Sequence, residues 1–174
     1  LLVEDDALLL EVMQNILESE GYEVIPAPNG KFALDLFDTF RPELVVSDIM
    51  MPEMDGYELC RAIKDDEMLK TIPVIMVTQL FDPVDVVRGL EAGADNFIIK
   101  PYEPGDIEAR IREVMTTRSD DDVTCYPLEV MLSDGSHTLT ANRRQILNIL
   151  LSTYEITVRK NTELQEAHER LNLQ

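Results

Sequence analysis

The chain has 174 residues, of which 15 are Lys or Arg and 34 are Asp or Glu, so its formal net charge is −19. This length allows one well-buried domain with an extension, but it is short for two full domains. The negative charge argues against binding to nucleic acid or to an anionic membrane surface, because both would repel the chain.

The apolar runs are too short to cross a bilayer, and the chain opens without a charged and then apolar leader. Two cysteines, Cys60 and Cys125, are too few for a disulfide framework and lack the spacing of metal ligands. We therefore expect a cytoplasmic protein that has no contact with a membrane.

Residues 1–118 alternate between short apolar runs and segments with helical periodicity. The runs are LLV (1–3), YEVI (22–25), ELVV (43–46), VIMV (74–77) and NFII (96–99). The segments between them carry apolar residues three and four positions apart, as in Leu9, Val12 and Ile16. Strands that alternate with helices predict an α/β fold with a doubly wound parallel sheet of five strands.

The remaining residues form a tail of a different kind. An acidic run at 120–122 indicates a linker, and residues 119–141 read as this linker followed by a β-hairpin that turns at 133–136. Residues 142–174 lack Gly and Pro and predict one long helix.

Within that helix, an apolar seam recurs every seven residues, which indicates a weak coiled coil or a connector. The repeat consists of Leu150, Thr157, Leu164 and Leu171, with Ile146, Thr153, Lys160 and Ala167 at the complementary positions. An amphipathic helix that lies on its own hairpin is an equal alternative.

Polar side chains follow four of the predicted strands. Glu4, Asp5 and Asp6 follow the first, Ser47 and Asp48 the third, Thr78 the fourth and Lys100 the fifth. Parallel strands bring their carboxyl ends to one edge of the sheet, where ligands bind. Carboxylates that meet there repel one another unless a cation joins them, and oxygen ligands suit Mg²⁺. A carboxylate beside Mg²⁺ and a lysine can attack a phosphoryl group, which gives an aspartyl phosphate.

Asp55 has a different role from Asp48. The order Asp55-Gly56-Tyr57-Glu58 fits a helix N-cap with an acidic residue three positions on, so we expect Asp55 to start a helix. Asp48 directly follows a buried strand and remains the candidate nucleophile.

The stretches LLVEDD, SDIMMPEMDG, VTQL and IIKP resemble the response-regulator receiver domain of two-component systems. The resemblance covers residues 1–117 and implies a flavodoxin-like sheet of order 2-1-3-4-5. It implies that Asp48 is the phosphoacceptor, assisted by Lys100 and Thr78, and that Thr78 and Phe97 form the switch. It also implies a cis bond before Pro101.

The resemblance further implies the ligands of a magnesium ion. Asp5 and Asp48 would bind it directly, Glu4 through water, and Met50 through its backbone carbonyl. Asp6 occupies a variable position of the family, and we expect it to cap a helix. Met50 and Leu80 stand at apolar rim positions, from which we expect slow hydrolysis of the phosphoryl group.

The sequence thus predicts a phosphorelay protein that takes a phosphoryl group from a sensor histidine kinase and then changes its interaction with a downstream protein. It would catalyse only its own phosphorylation and dephosphorylation. Alternatives are a transcriptional regulator that acts through its tail, a receiver fragment of a longer hybrid sensor protein, and a phosphohydrolase. The last lacks the second acid two positions after its nucleophile, because Met50 stands there. A homodimer through the C-terminal helix is a further expectation.

Overall fold

The computed structural model describes residues 1–79, 83–116, 126–132 and 135–172. Five parallel strands form one sheet in the order β2-β1-β3-β4-β5, which confirms the predicted topology. The strands are β1 (Leu2–Val3), β2 (Pro26–Ala27), β3 (Val45–Asp48), β4 (Val74–Thr78) and β5 (Asn96–Ile99). The helices between and after them are α1 (Ala7–Ser19), α2 (Gly30–Leu36), α3 (Gly56–Asp65), α4 (Pro83–Glu91) and α5 (Pro104–Thr116).

The sheet is apolar on both faces, as a parallel sheet covered by helices requires. In β4, Val74 and Met76 belong to one apolar cluster, whereas Ile75 and Val77 belong to the other. Helices α2, α3 and α4 cover the first face, and α1 and α5 cover the second. This arrangement leaves the carboxyl ends of the strands as the edge at which polar side chains gather.

The second strand lies later in the chain than the sequence predicts. The apolar run at 22–25 precedes it, and the residues that pair with β1 are Pro26 and Ala27. The parallel ladder begins at the carbonyl of Ile25, which accepts a hydrogen bond from the Leu2 amide at 2.9 Å. Pro26 is tolerated because β2 is an edge strand that needs no donor on its outer side.

The tail contains the two elements that its sequence predicts. Strands β6 (Tyr126–Leu132) and β7 (Gly135–Ala141) form an antiparallel hairpin, and α6 (Arg143–Asn172) follows. The acidic linker and the residues 133–134 of the turn lie outside the described residues. Asn142 caps α6 by accepting a hydrogen bond from the Gln145 amide at 2.8 Å.

Helix α6 packs on the first domain as well as on its own hairpin, and it contacts β5, α4 and β7. Ile149 is buried in the apolar cluster that contains Val87, Leu90 and Phe97. The alternative of an amphipathic helix that lies on its own hairpin therefore describes only part of the packing of α6. Each helix within the described residues is too short or too polar to cross a lipid bilayer.

Candidate functional site

Three carboxylates meet at the carboxyl edge of the sheet. Glu4 follows β1 and is buried, Asp5 next to it is exposed, and Asp48 ends β3 and is buried. One carboxylate oxygen from each of the three lies within 4.8 Å of the others. The structure thus brings together the three acidic side chains that the sequence assigns to a cation site.

Lys100 extends from the end of β5 into this cluster. Its Nζ lies 3.2 Å from Asp48 Oδ2 and 3.4 Å from Glu4 Oε2. Burial raises the pKa of Glu4, and the charge of Asp48 raises it further, whereas Lys100 acts in the opposite direction. Burial alone would lower the pKa of Lys100, but the charges of Asp48 and Glu4 outweigh it and raise this pKa. The lysine is therefore held in its charged form among the acids.

The cluster carries an excess of negative charge that a divalent cation could neutralise. Lys100 supplies one positive charge against three carboxylates, and the donors are hard oxygen atoms of the kind that Mg²⁺ prefers. The residues present therefore fit a magnesium site, which would involve Glu4, Asp5 and Asp48.

The loop after β3 fixes the carboxylate of Asp48. The amide of Ile49 donates a hydrogen bond of 2.8 Å to Asp48 Oδ1, and Lys100 engages the other oxygen. Gly56 packs against the same backbone, since a Cβ there would lie 2.3 Å from the Asp48 carbonyl oxygen. The sequence analysis named Gly56 only as part of the N-cap motif that begins at Asp55, and it did not predict this close contact with the end of β3.

Two further acids near the cluster, Asp6 and Asp55, are helix caps. Asp55 accepts a hydrogen bond of 2.7 Å from the amide of Glu58, and the Glu58 side chain accepts one of 3.1 Å from the amide of Asp55. Asp6 caps α1 by accepting hydrogen bonds from the amides of Leu8 and Leu9. The sequence interpretation of both acids is confirmed.

The two predicted switch residues lie on adjacent strands. Thr78 ends β4 and is buried, and its carbonyl accepts a hydrogen bond of 2.6 Å from the Lys100 amide. Phe97 lies on β5 and is also buried, with its ring against α4, where a Cβ at Gly89 would lie 2.4 Å from the Phe97 Cζ atom. Phe97 belongs to the same apolar cluster as Ile149 of α6, whereas Thr78 lies at the end of the neighbouring strand, next to Lys100.

Four further features of the rim concern Met50, Leu80, the Lys100-Pro101 bond and Tyr102. Met50 is 77% exposed beside the cluster, in agreement with a rim position. Leu80 lies outside the described residues, so its predicted rim role is untested. The Lys100-Pro101 bond is cis, as the resemblance implies. The sequence analysis did not identify Tyr102 as a neighbour of the cluster. Burial raises the pKa of its hydroxyl group, and the charges of Lys100, Glu4 and Asp48 also act on this pKa.

The family model of the response regulator receiver domain matches residues 1–112, about two thirds of the chain, and includes every acidic residue of the cluster, Thr78 and Lys100. The chain belongs to the response regulator receiver family. The recognition made from the short motifs is therefore confirmed. The family is one of signalling proteins.

Two named relatives of this receiver are regulators. The chain is 39% identical over 149 residues to a "Probable transcriptional regulator ycf27" of Porphyra purpurea, with 84% of the chain and 59% of the relative covered. It is 36% identical over 147 residues to the "DNA-binding response regulator MtrA" of Mycolicibacterium paratuberculosis, with 84% and 64% covered. The chain thus spans about three fifths of the length of these relatives.

Solved structures of receivers share the fold. The signal receiver domain of a signal transduction histidine kinase from Syntrophus aciditrophicus has 41% identity and a TM-score of 0.64, with 72% of this chain and 96% of that chain covered. The chemotaxis response regulator CheY4 of Vibrio cholerae has 28% identity and a TM-score of 0.62, with 65% and 94% covered.

Proposed function

We propose that this receiver takes a phosphoryl group from a sensor histidine kinase in the cytoplasm onto the carboxylate of Asp48. The observation that carries the proposal is the gathering of Glu4, Asp5, Asp48 and Lys100 from three separate strand ends at one edge of the sheet. A carboxylate oxygen of Asp48 attacks phosphorus, and the bond from phosphorus to the kinase imidazole breaks. Its electron pair stays on the imidazole nitrogen, which can then take up a proton.

Each residue of the cluster has a role in this reaction. Asp5 and Asp48 would hold Mg²⁺ directly, the backbone carbonyl of Met50 would be a third ligand, and Glu4 would hold the ion through water. When bound there, the ion would supply positive charge for the phosphoryl oxygens. Lys100, already paired with Asp48, offers its ammonium to the same oxygens once the carboxylate is phosphorylated. The protein catalyses only its own phosphorylation and dephosphorylation.

The positions of Thr78 and Phe97 suggest how phosphorylation would alter the interaction with a downstream protein. After phosphorylation the Thr78 hydroxyl turns towards the phosphoryl group, and Phe97 moves with it as the two arrangements change in population. Phe97 and Ile149 of α6 belong to one apolar cluster, so a change at Phe97 alters the surface on which α6 packs. We propose that this change switches the interaction with a downstream protein.

Intact-mass spectrometry tests the chemistry. We expect the chain to gain one phosphoryl group when it is incubated with acetyl phosphate and Mg²⁺, and to gain none when EDTA removes the ion. Asp48→Asn should abolish the adduct, whereas the matched variant Asp55→Asn should retain it because Asp55 only caps α3. An adduct of equal yield on Asp48→Asn would overturn the proposal.

A transcriptional role is the second candidate, because relatives that align over 147 and 149 residues of this chain carry the names of transcriptional or DNA-binding regulators. Against it stand the net charge of −19 and a tail whose described part is one hairpin and one helix. A salt-sensitive gel shift with DNA would favour this candidate, whereas its absence for both the phosphorylated and the unmodified chain would favour a protein partner.

A further inference from the structure

The described part of α6 has two faces that differ in what covers them. Towards the receiver, Gln145 Nε2 donates to the carbonyl of Ala94 at 2.9 Å, and Asn148 Nδ2 donates to that of Asp95 at 3.4 Å. Further along, Arg159 forms two hydrogen bonds of 3.0 Å with the carboxylate of Asp106. These contacts, with Ile149 between them, dock one side of the helix.

The other side carries an exposed stripe of mostly apolar side chains. We define the outer stripe as Leu147, Leu150, Tyr154, Asn161, Leu164 and Leu171, all of them exposed. Leu147, Leu150 and Asn161 each lie two positions after a docking residue, which in an α-helix is a turn of about 200°. The outer stripe therefore points away from the receiver and stays accessible while α6 is docked.

The spacing of the outer stripe is that of a coiled-coil seam. Its members lie three, four or seven residues apart, and Thr157 and His168 divide the two gaps of seven, so that the seam positions recur at intervals of three and four residues. Ile146, which the sequence placed in a different seam, instead packs against the apolar cluster of the receiver. The structure therefore shows that the outer stripe is exposed, whereas the repeat that contains Ile146 contributes to packing on the receiver.

We propose that the outer stripe binds the same stripe of a second copy of this chain, as a parallel and in-register two-stranded coiled coil. Asn161 favours this register, because it places this polar side chain opposite the Asn161 of the second copy, with which it can form a hydrogen bond inside the seam. The two receivers then lie on the outside of the dimer.

The near-balanced charge of α6 favours another copy as the occupant of the outer stripe. The chain as a whole has 34 acidic and 15 basic residues, so two copies repel each other over most of their surface. Helix α6 is different, with four acidic and five basic residues. In the parallel register, Lys160 beside the seam faces Gln165 of the second copy, so no like charges meet there. This helix is thus the surface along which two such acidic chains can approach.

The exposure of the C-terminal half of α6 also supports pairing with a second copy. All residues from 157 to 168 are exposed in the single chain. A helical segment of this length gains little stability from its own hydrogen bonds and is stabilised mainly when a face packs against something. A second copy supplies that packing for Leu164 and Leu171.

Sedimentation equilibrium without phosphodonor tests the proposal independently of the phosphorylation chemistry. We expect a dimer for the parent chain and a dissociation constant raised by about a hundredfold for Leu164→Glu, because two carboxylates would then meet in the seam. Glutamate is a good helix former, so the helix itself should persist. The matched control is Leu8→Glu on α1, since Leu8 is 69% exposed and Leu164 is 67% exposed. A monomeric parent, or an equal effect of both variants, would overturn the proposal.

Disulfide trapping tests the orientation. In a Cys125→Ser background, Leu150→Cys and Leu171→Cys should each form covalent dimers on oxidation by diamide, whereas Thr162→Cys, off the seam, should not. If neither seam variant links to itself but a mixture of the two cross-links, the pairing is antiparallel and the proposed register is wrong.

Discussion

The chemistry of this receiver depends on how individual charges are balanced at the edge of the sheet. Glu4 and Asp48 are buried, and Lys100 is the cation that reaches both of them. The positions of these residues follow from the sequence, because each comes directly after a strand of a parallel sheet. The contact between Lys100 and Glu4, which are 96 residues apart in the chain, can be predicted only when the strand order is known.

Removal of Lys100 should show how much the acids depend on it. We expect Lys100→Met to lower the free energy of unfolding by about 3 kcal/mol in metal-free buffer, because it leaves buried carboxylates without their counter-charge. Mg²⁺ should restore part of the loss. The control is Lys70→Met, which removes an exposed pair with Glu67 and should change stability by less than about 1 kcal/mol. Urea denaturation of both variants measures the difference, and equal losses would contradict this account.

Cys60 offers a test of burial through its reactivity. Burial raises the pKa of the Cys60 thiol to about 12, so the thiol stays protonated far above its usual pKa of 9.0. In a Cys125→Ser background, alkylation of the native chain by iodoacetamide at pH 8 should be slower than for an ordinary thiol by roughly a thousandfold. The rate should rise about tenfold with each pH unit up to about pH 12, and it should rise sharply when the chain unfolds. Fast alkylation at pH 8 under native conditions would show that Cys60 is not enclosed.

At the scale of the elements, local signals predict where helices begin, but not how closely the elements approach. The caps Asp6 and Asp55 could be recognised because each acts within three residues of its own position. The shift of β2 to Pro26–Ala27 could not, because its register is set by pairing with β1. The tight contact of Gly56 with the end of β3 likewise depends on the packed helix and not on local sequence.

A pair of glycine substitutions tests that contact. Gly56→Ala should destabilise the fold by about 2 kcal/mol or more, because the added methyl group meets the backbone of Asp48 and Ile49, which cannot yield without moving the loop. Phosphorylation of Asp48 should slow as well. Gly105→Ala lies at the start of α5 with no described atom within 4 Å of its Cβ, and should be neutral or stabilising by up to about 1 kcal/mol. Thermal unfolding of the two variants provides the comparison, and a neutral Gly56→Ala would refute the contact.

At the scale of the whole molecule, the tail and the receiver are one structure. The sequence predicted the hairpin and the long helix, but it did not predict that α6 would dock over β5 and α4. That docking depends on Gln145, Asn148 and Ile149 meeting backbone and apolar groups some 50 residues away. Contacts of this kind leave no periodic signal beyond the amphipathic pattern of the helix.

Truncation of Ile149 should loosen this docking. We expect Ile149→Ala to weaken the packing of α6 by about 2–3 kcal/mol, because the side chain is buried beside Phe97. Hydrogen exchange followed by mass spectrometry should then show faster exchange in β5 and in the first turns of α6. In a Leu164→Glu background, where the proposed coiled coil is disrupted, the matched variant Leu147→Ala removes an exposed side chain of the same helix and should leave exchange unchanged. Unchanged exchange in Ile149→Ala would contradict a docked helix.

The central claim is that Asp48, and no other acid of this rim, is the group that becomes phosphorylated. The direct measurement is tandem mass spectrometry after incubation with acetyl phosphate and Mg²⁺ and reduction with borohydride, which converts an aspartyl phosphate into homoserine at the modified position. We predict homoserine at position 48 alone, and none when EDTA is present. Homoserine at position 5 or 55, or a phosphoryl group that survives borohydride on another side chain, would contradict the account.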